Sequence, residues 1–482
     1  MMHSVLNTDL KKYWAIAIAS ILCFVSGIYF EQIILVALPF IAIVGAFLVS
    51  DFRLGFFLMI VSIPFTSRIG ELGALNIEMP DEGLMLFLTA LFPFFWMLNR
   101  ENNKYIFPYL KHPLTIVLAI CFVWTLLSTI FSEQVGLSFK YTLKRVWFLI
   151  PFLVLPFYFF QDKHFLTRII QCLLVVSFFI ILIVTYRHSL LGFSFEKNHG
   201  PLQPFFLNHV LYGSYVSCLA PIALLSIWLS KRWSFQWLFS IGLSALVLVA
   251  VYFSYSRGAW AALLFGGFMY VLLRLKLAHW FMTGFYALLM LAIFWLHTNN
   301  RYLSLKPDFE KTKMHETLED HILATIRGTD ISSAERYYRW IAALHMWQDR
   351  PLLGVGPNNF YDYYKSYTVK SFKTWVSRNE ERSTTHNYFL YLLVEQGFPA
   401  MLGYAIFIWL FFFYAQHTFY ILSERREKII VAIATCVMAV FFINNFFSEL
   451  VETEKLGSLY LMSTALIIIY HTKALKLKNN KH

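Results

Sequence analysis

The sequence predicts an all-α, polytopic integral membrane protein, and three observations predict it. Of 482 residues, 58% are hydrophobic and only 14% charged, against roughly 25% charged in a soluble domain. The apolar residues fall in long runs: with about 20 residues per spanning helix, about 280 of them supply at most ~14 spans. The basic residues recur in alternate short loops, as expected when Lys and Arg resist translocation. The formal charge of +12 is therefore read as positive-inside asymmetry, and nucleic acid is not an expected partner.

In chain order, spans are expected at 13–30, 32–50, 54–65, 83–98, 113–131, 146–160, 169–186, 207–229, 236–255, 259–273, 278–296, 399–422, 429–447 and 457–470. The first run is followed almost at once by the second, so it reads as a retained helix and not a signal peptide. The shortest runs, 54–65 and 457–470, are of a length that also suits re-entrant or interfacial segments, which makes the expectation 12–14 transmembrane helices. Each of the five cysteines, Cys23, Cys121, Cys172, Cys218 and Cys436, sits inside an apolar run, where a thiol behaves as a small hydrophobe.

Placing Lys11 and Lys12 inside also puts Arg100/Lys104/Lys111, Lys231/Arg232, Arg274/Lys276, Arg425/Arg426/Lys428 and the basic tail inside. The acidic connections with Glu71, Glu78, Asp81 and Glu82, and with Glu449, Glu452 and Glu454, then fall outside. Four regions follow: N-terminal helices (1–206), helices carrying an outer arginine turn (207–296), one large external loop (297–385), and C-terminal helices with a basic cytoplasmic tail (386–482). The loop is the one extramembrane stretch large enough to fold, so chemistry is expected there.

Within it, residues 333–348 carry Tyr337, Ile341, Leu344 and Met346-Trp347 near amphipathic helical spacing. That helix is expected to lie along the membrane surface. Asp349-Arg350-Pro351 ends it, and Gly354-Val355-Gly356-Pro357-Asn358-Asn359 reads as a tight turn. No Walker lysine follows and no strand precedes it, so a phosphate loop is the weaker reading.

Three further features place charge beside the bilayer, where it is costly unless used. Arg257, in Ser256-Arg257-Gly258-Ala259-Trp260, lies in a short outer turn; snorkelling to lipid phosphate is as good a reading as function. Arg336 shares a helix face with Trp340, with Arg339 one turn on; taken alone, a solvated charged face is the stronger reading. His386, in Thr385-His386-Asn387-Tyr388, stands where the loop returns to the membrane and could merely cap a helix. Together, two arginines and a histidine at one interface suit an anionic, phosphate-bearing lipid donor and an acceptor hydroxyl that must lose a proton. No HExxH, Asp-x-Asp or Cys/His cluster is readable, so no metal and no cofactor is expected.

The order of motifs resembles the O-antigen ligase and polymerase superfamily of bacterial envelope glycosyltransferases. It comprises S-R-G-A-W at Ser256, S-x-x-x-R-x-x-x-W through Arg336 and Trp340, R-P-L-L-G-V-G-P-N-N-F at Arg350, H-N-Y-F-L at His386 and E-Q-G-F-P at Glu395. The similar region covers roughly residues 207–470. The resemblance implies a multi-pass protein of the bacterial inner membrane, active on the periplasmic side in lipopolysaccharide biosynthesis. It implies metal-independent, inverting transfer of a glycan from undecaprenyl pyrophosphate to an acceptor, lipid A-core or a growing glycan. Arg257 and Arg336 match the family's pyrophosphate-binding arginines, and His386 matches its catalytic general base. Arg339 has no such clear counterpart and is a candidate beside them. Lys144 and Arg145, with Lys140, fall outside against the positive-inside rule, as candidates for anion contacts or for amphipathic surface packing.

The motifs do not separate ligation to lipid A-core from repeat-unit polymerisation or transfer to protein; the long arginine-bearing loop inclines the reading to a ligase. A lipid-linked glycan transporter is the alternative of a different class, but the internal repeats that such folds often show are not visible.

Overall fold

The computed structural model describes residues 51–68, 78–306, 330–374, 377 and 384–479, with Ser26 and Gly45. The expected spans 13–30 and 32–50 lie outside the described residues, those two positions apart. What is described is helical except for two antiparallel two-residue strands, Ser67–Arg68 and Glu78–Met79. Among the described residues nine helices are long and apolar enough to cross a membrane.

In chain order the main helices are α1 (Phe52–Ser62), α2 (Asp81–Leu98), α3 (Arg100–Leu110), α4 (Pro113–Ile130), α5 (Val135–Phe159) and α6 (Lys163–Ser189). They continue with α7 (His209–Ser226), α8 (Phe235–Phe253), α9 (Arg257–Arg274), α10 (Ala278–His297), α11 (Ile331–Asp349), α12 (Phe360–Tyr363), α13 (Tyr388–Ile421), α14 (Arg425–Phe446) and α15 (Glu454–Asn479). The expected runs from 54 onward each find a helix. Three boundaries move: the run expected to start at 399 starts at Tyr388, the run expected to end at 470 continues to Asn479, and the run expected to start at 146 starts at Val135, so Lys140, Lys144 and Arg145 lie on the first turns of α5 and not in a loop. The basic residues had masked the helix from a hydropathy reading. Pro151 and Pro156 withhold two backbone donors further along, and a π-helical stretch, Ile150–Val154, carries the helix past them.

The helices pack around α14, most of which is buried, while α10 at the periphery buries only Ala278 and Met282. Lipid tails are as apolar as leucine, so association depends on close packing. Gly266 of α9 provides it: a Cβ there would lie 2.6 Å from Val440 Cγ2 of α14. This approach fixes α9, whose N-terminus carries Arg257.

The motifs around Gly354 and Gly397 form one joint. α13 breaks at Gly397 (φ 80°), which would strand carbonyls in an apolar interior, a cost of several kcal/mol each. The expected turn supplies the missing donors: Val355 N–H donates to Val394 O at 3.0 Å, and Gly356 N–H to Glu395 O at 2.8 Å. Trp124 Nε1 of α4 donates to Gln396 O at 2.8 Å, and the buried Glu395 carboxylate accepts from the N–H groups of Asn358 (2.6 Å) and Phe360 (3.0 Å). Only glycine fits where the two meet. A Cβ on Gly397 would sit 1.9 Å from Leu352 O, and one on Gly354 2.4 Å from Val394 O.

Helix α11 exists as the amphipathic pattern implied, but its buried face is rotated. Ala334, Tyr338, Ile341, Ala342 and Met346 are inside, while Leu344 is exposed. They pack with Val355, Phe360, Tyr364 and Phe372 from the following segment and with Val394 of α13. The loop therefore has a small core of its own, and α11 is seated on α13. A periodicity argument confined to one helix does not see partners that arrive 20 residues later.

Candidate functional site

Three helix N-termini converge at the loop end of the bundle, and polar caps define each. Ser256 caps α9, Asp330 caps α11 and Asn387 caps α13; each side chain accepts from amides that the first helical turn leaves without intrahelical partners. Arg257 is the first residue of α9, and its Nη2 donates to Asp330 Oδ2 at 3.0 Å. The same Asp330 oxygen accepts from Ser333 N (3.1 Å) and Ser333 Oγ (2.9 Å). Burial pulls the Asp330 carboxyl upward, but Arg257 and Ser333 overcome it and hold the group below its ordinary value.

Arg336 and Arg339 follow along α11. Arg336 is largely buried, 5.9 Å above the Phe447 ring. Among the described residues it makes no ion pair, and its buried Nε has no hydrogen-bond partner. Burial, and then Arg257, push its guanidinium below the usual range, with Asp330 and Glu449 opposing. Arg339 reaches Glu335 Oε2 at 3.5 Å, and Glu335 also accepts from Thr374 Oγ1 and from Ser377 Oγ at 2.5 Å.

His386 is held against these arginines. Its backbone is left-handed (φ 52°), which is uncommon outside glycine. The residue that enforces this is Glu449, which the sequence reading treated only as one of several outer acidic residues. Its carboxylate accepts from both threonines ahead of His386, Thr384 Oγ1 and Thr385 Oγ1 (2.8 Å), and from Asn387 N–H after it (3.1 Å). Burial raises the Glu449 carboxyl, and these donors draw it back toward the charged form. Trp340 Nε1 donates to Thr385 O at 2.8 Å, tying α11 to the same turn. The acceptor count of Glu449 could not be read from a chain position 63 residues away.

Burial, then Arg339, then Arg336 depress the His386 imidazole to about 3. The ring is therefore neutral at ordinary pH, with one nitrogen free of a proton. Arg257, Arg336, Arg339 and His386 thus form one electrostatic group.

Lys144 and Arg145 do not join it. Lys144 is paired with Glu454 at 2.7 Å. Arg145 is paired with Glu452 at 2.9 Å, and its Nη2 lies 2.5 Å from both Tyr141 Oη and Tyr388 Oη. Both therefore join α5 to the start of α15 and to α13, with their charge matched.

The four residues of the electrostatic group all fall in one stretch that compares with known proteins. Residues 242–405 match the O-antigen ligase family. A protein named O-antigen ligase from Salmonella typhimurium (strain LT2) is 30% identical over 200 residues, 39% of this chain and 42% of that protein. The chain thus spans under half the length of that relative. The resemblance to the O-antigen ligase superfamily carried by the motifs holds in both comparisons. Lys144 and Arg145 lie outside the matched O-antigen ligase region.

Glu449→Gln tests the arrangement around His386. Loss of the carboxylate weakens the hydrogen bonds that hold the turn, and misplacing a reacting group costs up to about 10²-fold in rate. If His386 reacts as proposed below, the expected result is a turnover lowered about 10-fold or more with substrate affinity near the parental value, measured on protein whose thermal midpoint is compared in parallel.

Proposed function

We propose that this protein transfers a glycan from a polyprenyl pyrophosphate carrier, undecaprenyl pyrophosphate, to an acceptor hydroxyl at the periplasmic face of the bacterial inner membrane. The observation that carries the proposal is the neutral His386 facing two arginines, one of them with an unsatisfied Nε. Arg257 and Arg336 grip the pyrophosphate, with Arg339 beside them; Arg guanidinium offers a fork matched to phosphate oxygens. His386 takes the proton of the acceptor hydroxyl as its oxygen attacks the anomeric carbon. The C–O bond to pyrophosphate breaks on the opposite face, so configuration inverts, and the arginines stabilise the charge growing on the leaving group. No metal takes part in this scheme.

A histidine depressed to about 3 is a weak base, since a base works best with a pKa near the operating pH. The donor corrects this. Pyrophosphate held by Arg257 and Arg336, with Arg339 beside it, offsets the arginines' positive charge, so the imidazole rises when donor is present, with burial left as its main depressant. The base is armed by its substrate.

The name of the Salmonella protein favours a ligase over a repeat-unit polymerase; lipid A-core is the acceptor that the motif resemblance implies. Transfer by purified protein in detergent, from lipid-linked donor to lipid A-core or to a second donor molecule, tests this: ligation to the first supports the ligase reading, chain extension supports polymerisation, and no product with either removes the transferase. Orientation is tested separately. Ser371 lies between Lys370 and Lys373 in the loop and is exposed. Ser371→Cys is expected to react with an impermeant thiol reagent in intact spheroplasts, and Arg425→Cys only after lysis; the reverse pattern inverts the topology.

A further inference from the structure

A crevice distinct from the arginine group opens between α4, α5, α13 and α15. Its walls are mostly apolar, with Leu118, Phe122, Phe148, Leu392, Phe407 and Leu461 among them. Three of its lining residues carry buried polar atoms with no hydrogen-bond partner among the described residues: Arg145 Nε, Gln396 Nε2 and Tyr404 Oη. All three can donate, and a buried donor left unsatisfied is destabilising. Three of them on one cavity imply an occupant that brings acceptor oxygens.

The occupant need not bring charge. The Arg145 guanidinium is already matched by Glu452, and Lys144 at the rim by Glu454. Neutral acceptors beside a long apolar wall describe the ester or amide carbonyl of an acyl lipid. Such molecules lie close by: the opposite face of α4, with Ile116, Ile120, Val123 and Leu127, is exposed and apolar, so in a membrane it meets lipid.

We propose that this crevice binds an acyl-chain lipid, with its carbonyl oxygens accepting from Arg145, Gln396 and Tyr404 and its chain lying against Phe122, Phe148 and Phe407. Tyr388 also lines the crevice, two residues from His386. If the transferase reading holds, a glycolipid acceptor anchored here has its sugars within reach of the turn that carries His386.

Photocrosslinking tests the site without requiring transfer. Parent protein in nanodiscs receives a phosphatidylcholine bearing a diazirine in its acyl chain, and labelled peptides are mapped after irradiation. Labelling at residues 118–125 and 388–407 is expected to exceed by at least about 5-fold that on the lipid-exposed face of α10, Leu288 to Phe294. Leu392→Trp, which fills the crevice, and the pair Gln396→Leu with Tyr404→Phe, which removes two donors, are each expected to abolish the excess. Competition by a glycolipid with amide- and ester-linked acyl chains identifies the acceptor as the source, whereas competition by plain phospholipid alone identifies the bilayer. Labelling no greater than on α10, or unchanged in both variants while they keep the parental thermal midpoint, overturns the proposal. The excess label stands or falls independently of whether transfer from a lipid pyrophosphate is detected.

Discussion

His386→Ala and His386→Gln are expected to lower turnover by about 10²- to 10⁴-fold, the usual contribution of a positioned general base, while donor binding changes by no more than a few-fold. The two effects separate because the proposed grip on pyrophosphate belongs to Arg257 and Arg336. Both substitutions keep an L side chain at a left-handed position (φ 52°), so folding must be checked. His386→Asn is the variant best suited to that backbone, since Asn enters the left-handed region more readily than most residues. All three proteins are therefore measured for thermal midpoint, donor affinity and transfer. A histidine with only a structural task predicts instead that Asn or Gln restores folding and transfer together.

The second large effect is expected at the arginines. Arg257→Lys and Arg336→Lys keep a positive charge but lose the planar fork, and each is expected to reduce transfer by about 10²- to 10³-fold, the range for removing one donor from a developing anion. Arg257 has a structural task as well, through its 3.0 Å contact with the cap of α11. Asp330→Asn resolves the ambiguity. It keeps a side chain that can cap α11 while removing the ion pair, so if Arg257 acted only by holding Asp330, Asp330→Asn would match the defect of Arg257→Lys. The proposed pyrophosphate role predicts that Asp330→Asn retains most activity. Arg336→Lys needs no such control, because among the described residues Arg336 makes no ion pair.

Much of this was legible in the chain because two strong signals carry it. Hydropathy located the long apolar helices from α1 onward, since a spanning helix leaves few alternatives for a long apolar run; it did not show α3, whose polar residues read as a basic loop. It failed at the start of α5, where Lys140, Lys144 and Arg145 interrupt the run; Lys144 and Arg145 are accommodated by Glu454 and Glu452 from the far end of the chain, and Lys140 is exposed. Motif order identified Arg257, Arg336 and His386 as candidates, and the fold brings them together through three capped helix starts. It could not reveal what the glycine motifs do. Their backbone donors serve carbonyls freed at Gly397, a pairing that exists only once α13 and the turn after α11 are in contact. Glu449 was hidden for the same reason: its importance lies in the hydrogen bonds its carboxylate accepts around His386, not in any local pattern.

The claim that His386 is a base armed by the donor is tested most directly by the pH dependence of transfer in the parent and in His386→Gln. For the free protein, reported by kcat/KM for donor, the imidazole titrates far below its ordinary value, at about 3. For the donor complex, reported by kcat, it titrates higher, because pyrophosphate offsets Arg336 and Arg339. The predicted result is that parental kcat rises with pH through a limb lying above the kcat/KM limb, and that His386→Gln loses this limb along with at least about 99% of the rate. A folded His386→Gln protein that keeps the same limb and transfers at the parental rate would contradict the account.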